Sequence, residues 1–214
     1  ATPMTEPLFL GLVGGLAYFL VRWLDESRGA DLARAATCSA LVCLVRYEAW
    51  PLAALAMLLA AWHGRSRRTL TTSVGLGFVL PIVGYGLHAW YASGIPFHAI
   101  SSENLTQTKG DVAGAVALLV SGQRAGFGDA LTLVAVVALA LAAWRARRPS
   151  ALLERVAFVC CAPAIVTLTA YLAGHPEKAR YPLLLAPALA LALAASSARQ
   201  RWLQALVLVV AAGQ

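Results

Sequence analysis

Apolar runs separated by short polar clusters account for most of the chain. They fall at residues 7–24, 32–45, 51–62 and 70–91, then, after a long mixed stretch at 92–129, at 130–144, 152–173, 182–195 and 202–212. A bilayer core about 30 Å thick takes about 17 to 25 apolar residues per helical span. In lipid every backbone N–H and C=O must be satisfied within the segment, which leaves the α-helix as the form such runs adopt. The pattern predicts an all-α polytopic transmembrane helical bundle with about eight membrane segments, the last one truncated. Residues 1–214 then form one transmembrane domain.

Two runs, 32–45 and 51–62, are short for spans. Read as two helices, they place Trp50 at the interface and Pro51 in the first turn of a returning helix, where its missing N–H costs little. Read as one long helix, they would bury Arg46 and Glu48 near the bilayer centre at a cost of several kcal/mol unless paired. The two-helix reading is preferred. The stretch 92–129 is too long for a mere connection. It is read as an external loop holding an interfacial helix around 112–120, whose apolar run is too short to span.

Composition agrees with a membrane solvent: 60% hydrophobic residues, 13% charged, and a mean hydropathy of +0.71. With alternating spans, Arg22, Arg28, Arg34, Arg65, Arg67, Arg68, Arg145, Arg147, Arg148, Arg155, Arg199 and Arg201 share one side. Only Arg46, Lys109, Arg124, Lys178 and Arg180 fall on the other. Twelve against five is the asymmetry of a cytoplasmic and a non-cytoplasmic face. The net charge of +7 thus follows from topology and gives no reason to expect nucleic acid. Cys38, Cys43, Cys160 and Cys161 lie inside apolar runs, where a thiol acts as a small hydrophobe, and no CxxC or Cys/His cluster suggests zinc. Ala1 to Glu6 lacks a basic signal-peptide region. A start without Met and a stop inside the run beginning at Trp202 lead us to expect an internal piece of a longer protein.

Candidate chemistry concentrates on the outer side of this topology. Glu6, one residue before Pro7, is either a helix-start acid answering the macrodipole or a wall residue of a site at the membrane surface. Arg46, Tyr47 and Glu48 are either interfacial anchors with a neutralising acid, or a phosphate-holding arginine with an orienting carboxylate. Lys178 and Arg180, just before Tyr181 and Pro182, suit lipid headgroups or the phosphate of a long-chain lipid. His175 and Glu177 have proton-transfer chemistry, and Asn104-Leu105-Thr106 is a weak glycosylation triplet. There is no Walker loop, no GxGxxG, no HExxH and no GxSxG, so nucleotide hydrolysis, dehydrogenation and the common protease and lipase chemistries find no support. No cofactor motif and no metal site is evident, and a divalent metal stays open.

Four stretches carry a family resemblance: Met4-Thr5-Glu6-Pro7-Leu8-Phe9 opening a span, Val45-Arg46-Tyr47-Glu48-Ala49, Trp90-Tyr91-Ala92-Ser93-Gly94-Ile95-Pro96-Phe97 after a span, and Lys178-Ala179-Arg180-Tyr181-Pro182 before the next. Together they resemble the later part of the type C integral-membrane glycosyltransferases, the mannosyltransferase and aminoarabinose-transferase-like enzymes that use polyprenyl-phosphate sugars. The resemblance implies inverting transfer of a sugar from a polyprenyl-phosphate donor to an acceptor at the non-cytoplasmic face, and the Ala, Leu and Arg bias suggests a bacterial plasma membrane. It places Arg46 and Arg180 toward the donor phosphate and Glu6 and Glu48 along the site, with Tyr47, Lys178 and Tyr181 assisting. In that family the catalytic acid lies in a first external loop after the first span, which puts the catalytic residue outside this stretch and makes the piece alone inactive. Ile95 stands where the family carries a polar residue. Two other classes remain open. A transporter or flippase would use Pro81, Pro163 and Pro187 to break helices. A non-catalytic scaffold would let the polar clusters lie apart.

Overall fold

The computed structural model describes residues 5–94, 111–145, 152–172 and 185–197, and the regular structure among them is entirely helical. The helices gather into two compact units, Ala1–Asn104 and Leu105–Gln214.

In the first unit, α1 (Thr5–Glu26) buries Phe9, Val13, Leu16, Leu20 and Trp23. These positions are alternately four and three residues apart, so they form one stripe along the helix. The stripe packs on α2 (Gly29–Val45), whose buried positions include Ala35, Ala36, Ser39 and Cys43. Such small side chains let two backbones approach without help from a hydrophobic gradient in lipid. Helix α2 stops because Arg46 is extended (φ −150°, ψ 125°), although its N–H still donates to the Val42 carbonyl at 3.1 Å. A 3₁₀ turn, Tyr47–Ala49, follows, and α3 (Trp50–Gly64) begins with Pro51 in its first turn. The stretch 32–62 is therefore two helices, with the Trp50 indole N–H donating back to the Cys43 carbonyl at 3.1 Å.

The next helix is continuous from Arg67 to Ala92 but changes character on the way. It starts as α4 (Arg67–Leu70), capped by Ser66, whose hydroxyl accepts from the Thr69 N–H at 3.0 Å. A π-helical stretch, Thr71–Val79, leads into α5 (Leu80–Ser93). The reason lies one residue into α5, where Pro81 has no N–H to give and its ring crowds the carbonyl four residues back. Shifting the pairing to five residues, as the Leu80 N–H does in donating to Gly75, relieves that conflict. Gly77 sits tightly against α2 and α3. A Cβ there would lie 2.6 Å from Met57 Sδ and 3.1 Å from the Ala36 backbone.

In the second unit, α6 (Val112–Phe127) is capped by the Asp111 carboxylate, which accepts from the Gly114 N–H at 2.9 Å. It turns by 118° into α7 (Asp129–Arg145). Gly128 takes the turn at φ 73°, ψ 164°, a region open only to glycine, and the Arg124 guanidinium clasps the Asp129 carboxylate across it, with Nη2 at 3.0 Å. Helices α8 (Leu152–Val159) and α9 (Ala162–Leu172) are separated by a turn at Cys160 and Cys161, where Pro163 cannot continue the ladder. Helix α10 (Ala186–Ser197) opens on Pro187 and packs against α7 and α8 through Ala138, Ala142, Ala157 and Ala192.

Among the described residues three helical stretches are long and apolar enough to cross a membrane: Glu6–Glu26, Arg67–Ala92 and Leu152–Thr169, the last running through the turn at Cys160 and Cys161. The bent pair α6–α7 makes a fourth if counted as one broken span. That is fewer than the eight segments expected. Helices α2 and α3, at 17 and 15 residues, are shortened because Arg46 to Ala49 go into the turn between them. The run 202–212 lies outside the described residues.

Candidate functional site

The 22 residues of α1 span about 33 Å at 1.5 Å per residue, so its two ends are distinct places. Its first turn meets the α2–α3 turn, and there the predicted residues gather. Arg46 leaves α2 on an extended backbone, and the 3₁₀ turn brings Glu48 back alongside it. Arg46 Nη2 donates to Glu48 Oε1 at 3.2 Å and Nε to Oε2 at 3.5 Å, a two-pronged contact between residues only two apart. From the other side Glu6 Oε1 stands 3.5 Å from Arg46 Nη1. The guanidinium also lies over the ring of Phe9, 5.8 Å from its centroid.

Burial makes these contacts matter. The side chains of Arg46, Glu48 and Glu6 are 6%, 5% and 21% exposed. In such surroundings the attraction between charges is far stronger than in water, and an unpartnered charge would be correspondingly costly. The group carries one positive and two negative formal charges, so by itself it is net negative. Glu6 and Glu48 close on a guanidinium that already fills the space between them. Among the described residues no three His, Cys, Asp or Glu side chains are placed to hold a metal ion.

Aromatic side chains surround this end. Tyr47 is about half exposed, Trp50 meets Tyr85 edge-on at 5.9 Å, and Trp90 and Tyr91 stand exposed at the end of α5. Tyrosine and tryptophan favour the level where hydrocarbon meets headgroups.

Of the predicted site residues the structure thus brings together Glu6, Arg46 and Glu48, with Tyr47 in the same turn. Lys178, Arg180 and Tyr181 lie outside the described residues, as do His175, Glu177, Asn104 and Ile95 to Phe97. Sequence reasoning missed Phe9. The available signal was its position one turn after Glu6, on the same face of α1.

The far end of α1 carries a second charged group that was not singled out. Asp31, 1% exposed, faces Arg22 Nε at 3.6 Å and Arg34 Nη1 at 3.4 Å, while Glu26 takes Arg22 at 3.2 Å and Arg28 at 2.8 Å. The α3 end joins it: the Trp23 indole N–H donates to the Ala60 carbonyl at 3.3 Å, and Ser27 Oγ lies 3.2 Å from His63 Nε2.

Comparison with protein-family models, with curated proteins and with solved structures finds no match to this chain.

Proposed function

We propose that this chain is part of a membrane glycosyltransferase of about eight membrane segments that moves a sugar from a polyprenyl-phosphate donor to an acceptor at the non-cytoplasmic face of a bacterial plasma membrane. The observation that carries the proposal is the burial of Arg46 between Glu6 and Glu48, residues some forty positions apart, at the bundle end ringed by Tyr47, Trp50, Trp90 and Tyr91. A buried ionic group adds little stability over well-packed apolar side chains, so its presence calls for another reason. The motif resemblance supplies one.

The charges also argue against an ion-coupled carrier. Among the described residues of the first unit, Asp, Glu, Lys and Arg occur at helix ends and in turns, and none in mid-helix, where carriers keep the groups that bind their ions.

On this reading the roles divide by charge. Arg46 is a positioning residue that holds two carboxylates at the mouth of the site. The group it forms is net negative, so this reading assigns the donor phosphate to Lys178 and Arg180, with Tyr47 and Tyr181 in assisting roles, as the resemblance implies. As the acceptor oxygen bonds to the anomeric carbon, the carbon–oxygen bond to phosphate breaks and the lipid phosphate leaves with the electron pair. Fixed cations in a poorly hydrated place stabilise that growing charge better than water does. The proton of the acceptor hydroxyl goes to a general base, a role this reading assigns to none of the residues named here.

All such donors leave the same product, which makes polyprenyl phosphate the probe. The intact protein in detergent is expected to gain thermal stability from polyprenyl phosphate and none from the uncharged polyprenol, and Arg180→Gln with Lys178→Gln is expected to abolish the gain. Equal stabilisation by phosphate and alcohol, or no stabilisation by either, would overturn the proposal.

A further inference from the structure

We propose that Arg65, Arg67 and Arg68 form a headgroup site for an anionic phospholipid of the surrounding bilayer, at the end of the first unit remote from Arg46. The inference stands on this unit alone and does not depend on the glycosyltransferase reading.

The argument starts from which charges are already satisfied. Six arginines gather at this end: Arg22, Arg28, Arg34, Arg65, Arg67 and Arg68. Glu26 and Asp31 pair with the first three. Asp25, exposed on the last turn of α1, makes no ion pair among the described residues, and His63 is engaged with Ser27. Arg65, Arg67 and Arg68 are exposed and have no ion-pair partner among the described residues. Three like charges within four residues repel one another, and Asp25 is too little to answer them.

Their placement has no local explanation either. Arg67 and Arg68 open the Arg67–Ala92 helix, and a cation in the first turn opposes the macrodipole. Arg65 occupies the left-handed backbone region, φ 48°, at the end of α3, where helices commonly place glycine. The local fold would be better served by other residues at all three positions; retention of basic residues on one side of the membrane explains their presence, and, with no ion-pair partner among the described residues, an external anion is what is left to neutralise them.

What lies below the arginines selects a lipid over free phosphate. Little of the Arg67–Ala92 helix, about 17%, is buried, and Leu76, Val79, Leu80, Val83 and Leu87 are exposed along it. They follow one another by three, one, three and four residues and share a face, away from the buried Ser73 and Gly77. Leu70, 52% exposed, continues apolar surface up to the arginines, and Trp62, 74% exposed, stands beside them at the interfacial level. Acyl chains would lie along the leucine and valine face with the phosphate at the guanidinium groups, each of which makes forked hydrogen bonds that suit phosphate oxygens.

The test uses the intact protein in a neutral detergent, with phosphatidylglycerol, phosphatidylcholine or inorganic phosphate added and thermal unfolding as readout. Phosphatidylglycerol is expected to raise the midpoint, phosphatidylcholine and inorganic phosphate to do so little, and high salt to remove the difference. The variant Arg65→Gln/Arg67→Gln/Arg68→Gln is expected to bind phosphatidylglycerol at least about tenfold more weakly, and the corresponding triple lysine variant to recover most of the loss. Equal stabilisation of wild type and glutamine variant by phosphatidylglycerol would overturn the assignment. So would equal effects of the two lipids on wild type, a measurement that stands if a variant fails to fold. A matching effect of inorganic phosphate would overturn the lipid in favour of a free-anion site.

Discussion

Removing the Arg46 guanidinium would leave Glu6 and Glu48 facing each other across a space closed to water on most sides. Breaking a buried ion pair from one side costs about 3–5 kcal/mol, because the remaining charge has lost its partner and has not regained solvent. Arg46→Met is expected to destabilise the unit by an amount near the lower end of that range, since Glu6 is part exposed and can rehydrate. The triple change Arg46→Met/Glu6→Gln/Glu48→Gln is expected to be more stable than Arg46→Met alone. Unfolding in detergent of the single and triple variants measures both, and an Arg46→Met protein as stable as wild type would show that the ion group does not form. Half of this group could be read from the chain. Arg46 and Glu48 are two residues apart in a stretch that had to turn, so their pairing is a local matter. Glu6 reaches them only through the packing of α1 on α2, which residue spacing does not encode, and the same holds for Phe9 under the guanidinium.

At the scale of the element, hydropathy located the helices well and their interruptions less well. The two-helix reading of 32–62 came from the cost of burying Arg46 and Glu48 and from Pro51, both local signals, and the structure has the break there. The prolines also marked real irregularities: Pro163 follows the turn between α8 and α9, and Pro81 follows the π-helical stretch. That Pro81 would produce a register change and not a kink was not legible, because the outcome depends on what the helix packs against. Here the constraint is Gly77, held against α2 and α3. Gly77→Ala would drive a methyl to 2.6 Å from Met57 Sδ and 3.1 Å from the Ala36 backbone, and only the methionine can move aside. The expected cost is about 1–3 kcal/mol, as for overpacking elsewhere. Gly75→Ala, two residues away, meets only Thr71 Cγ2 at 3.8 Å and is expected to be neutral or stabilising by up to about 1 kcal/mol. Unfolding midpoints of the two variants check this, and equal destabilisation by both would mean that the backbone, not the packed face, is what the glycines serve.

At the scale of the whole molecule, the two ends of α1 differ in kind, and that difference carries an orientation. One end holds Glu6, Arg46 and Glu48 among interfacial aromatics, and the other holds six arginines against three acids. Basic residues flanking spans are retained on the cytoplasmic side, so the arginine end is expected inside and the Arg46 end outside. Reporter positions are available at both. Tyr91, 93% exposed at the end of the Arg67–Ala92 helix, marks the Arg46 end, and the exposed Asp25 marks the other. In a background with Cys38, Cys43, Cys160 and Cys161 replaced by alanine, Tyr91→Cys is expected to react with a membrane-impermeant maleimide on intact cells. Asp25→Cys is expected to react only after the cells are opened. Labelling of both from one side would mean that α1 and the Arg67–Ala92 helix do not cross the bilayer. Reversed labelling would leave the helices spanning but turn Glu6, Arg46 and Glu48 toward the cytoplasm. A polyprenyl-phosphate sugar presented at the outer leaflet would then be out of reach of the ion group, and the glycosyltransferase proposal would fall while the anionic-lipid site, which depends only on a headgroup layer at the arginine end, would stand.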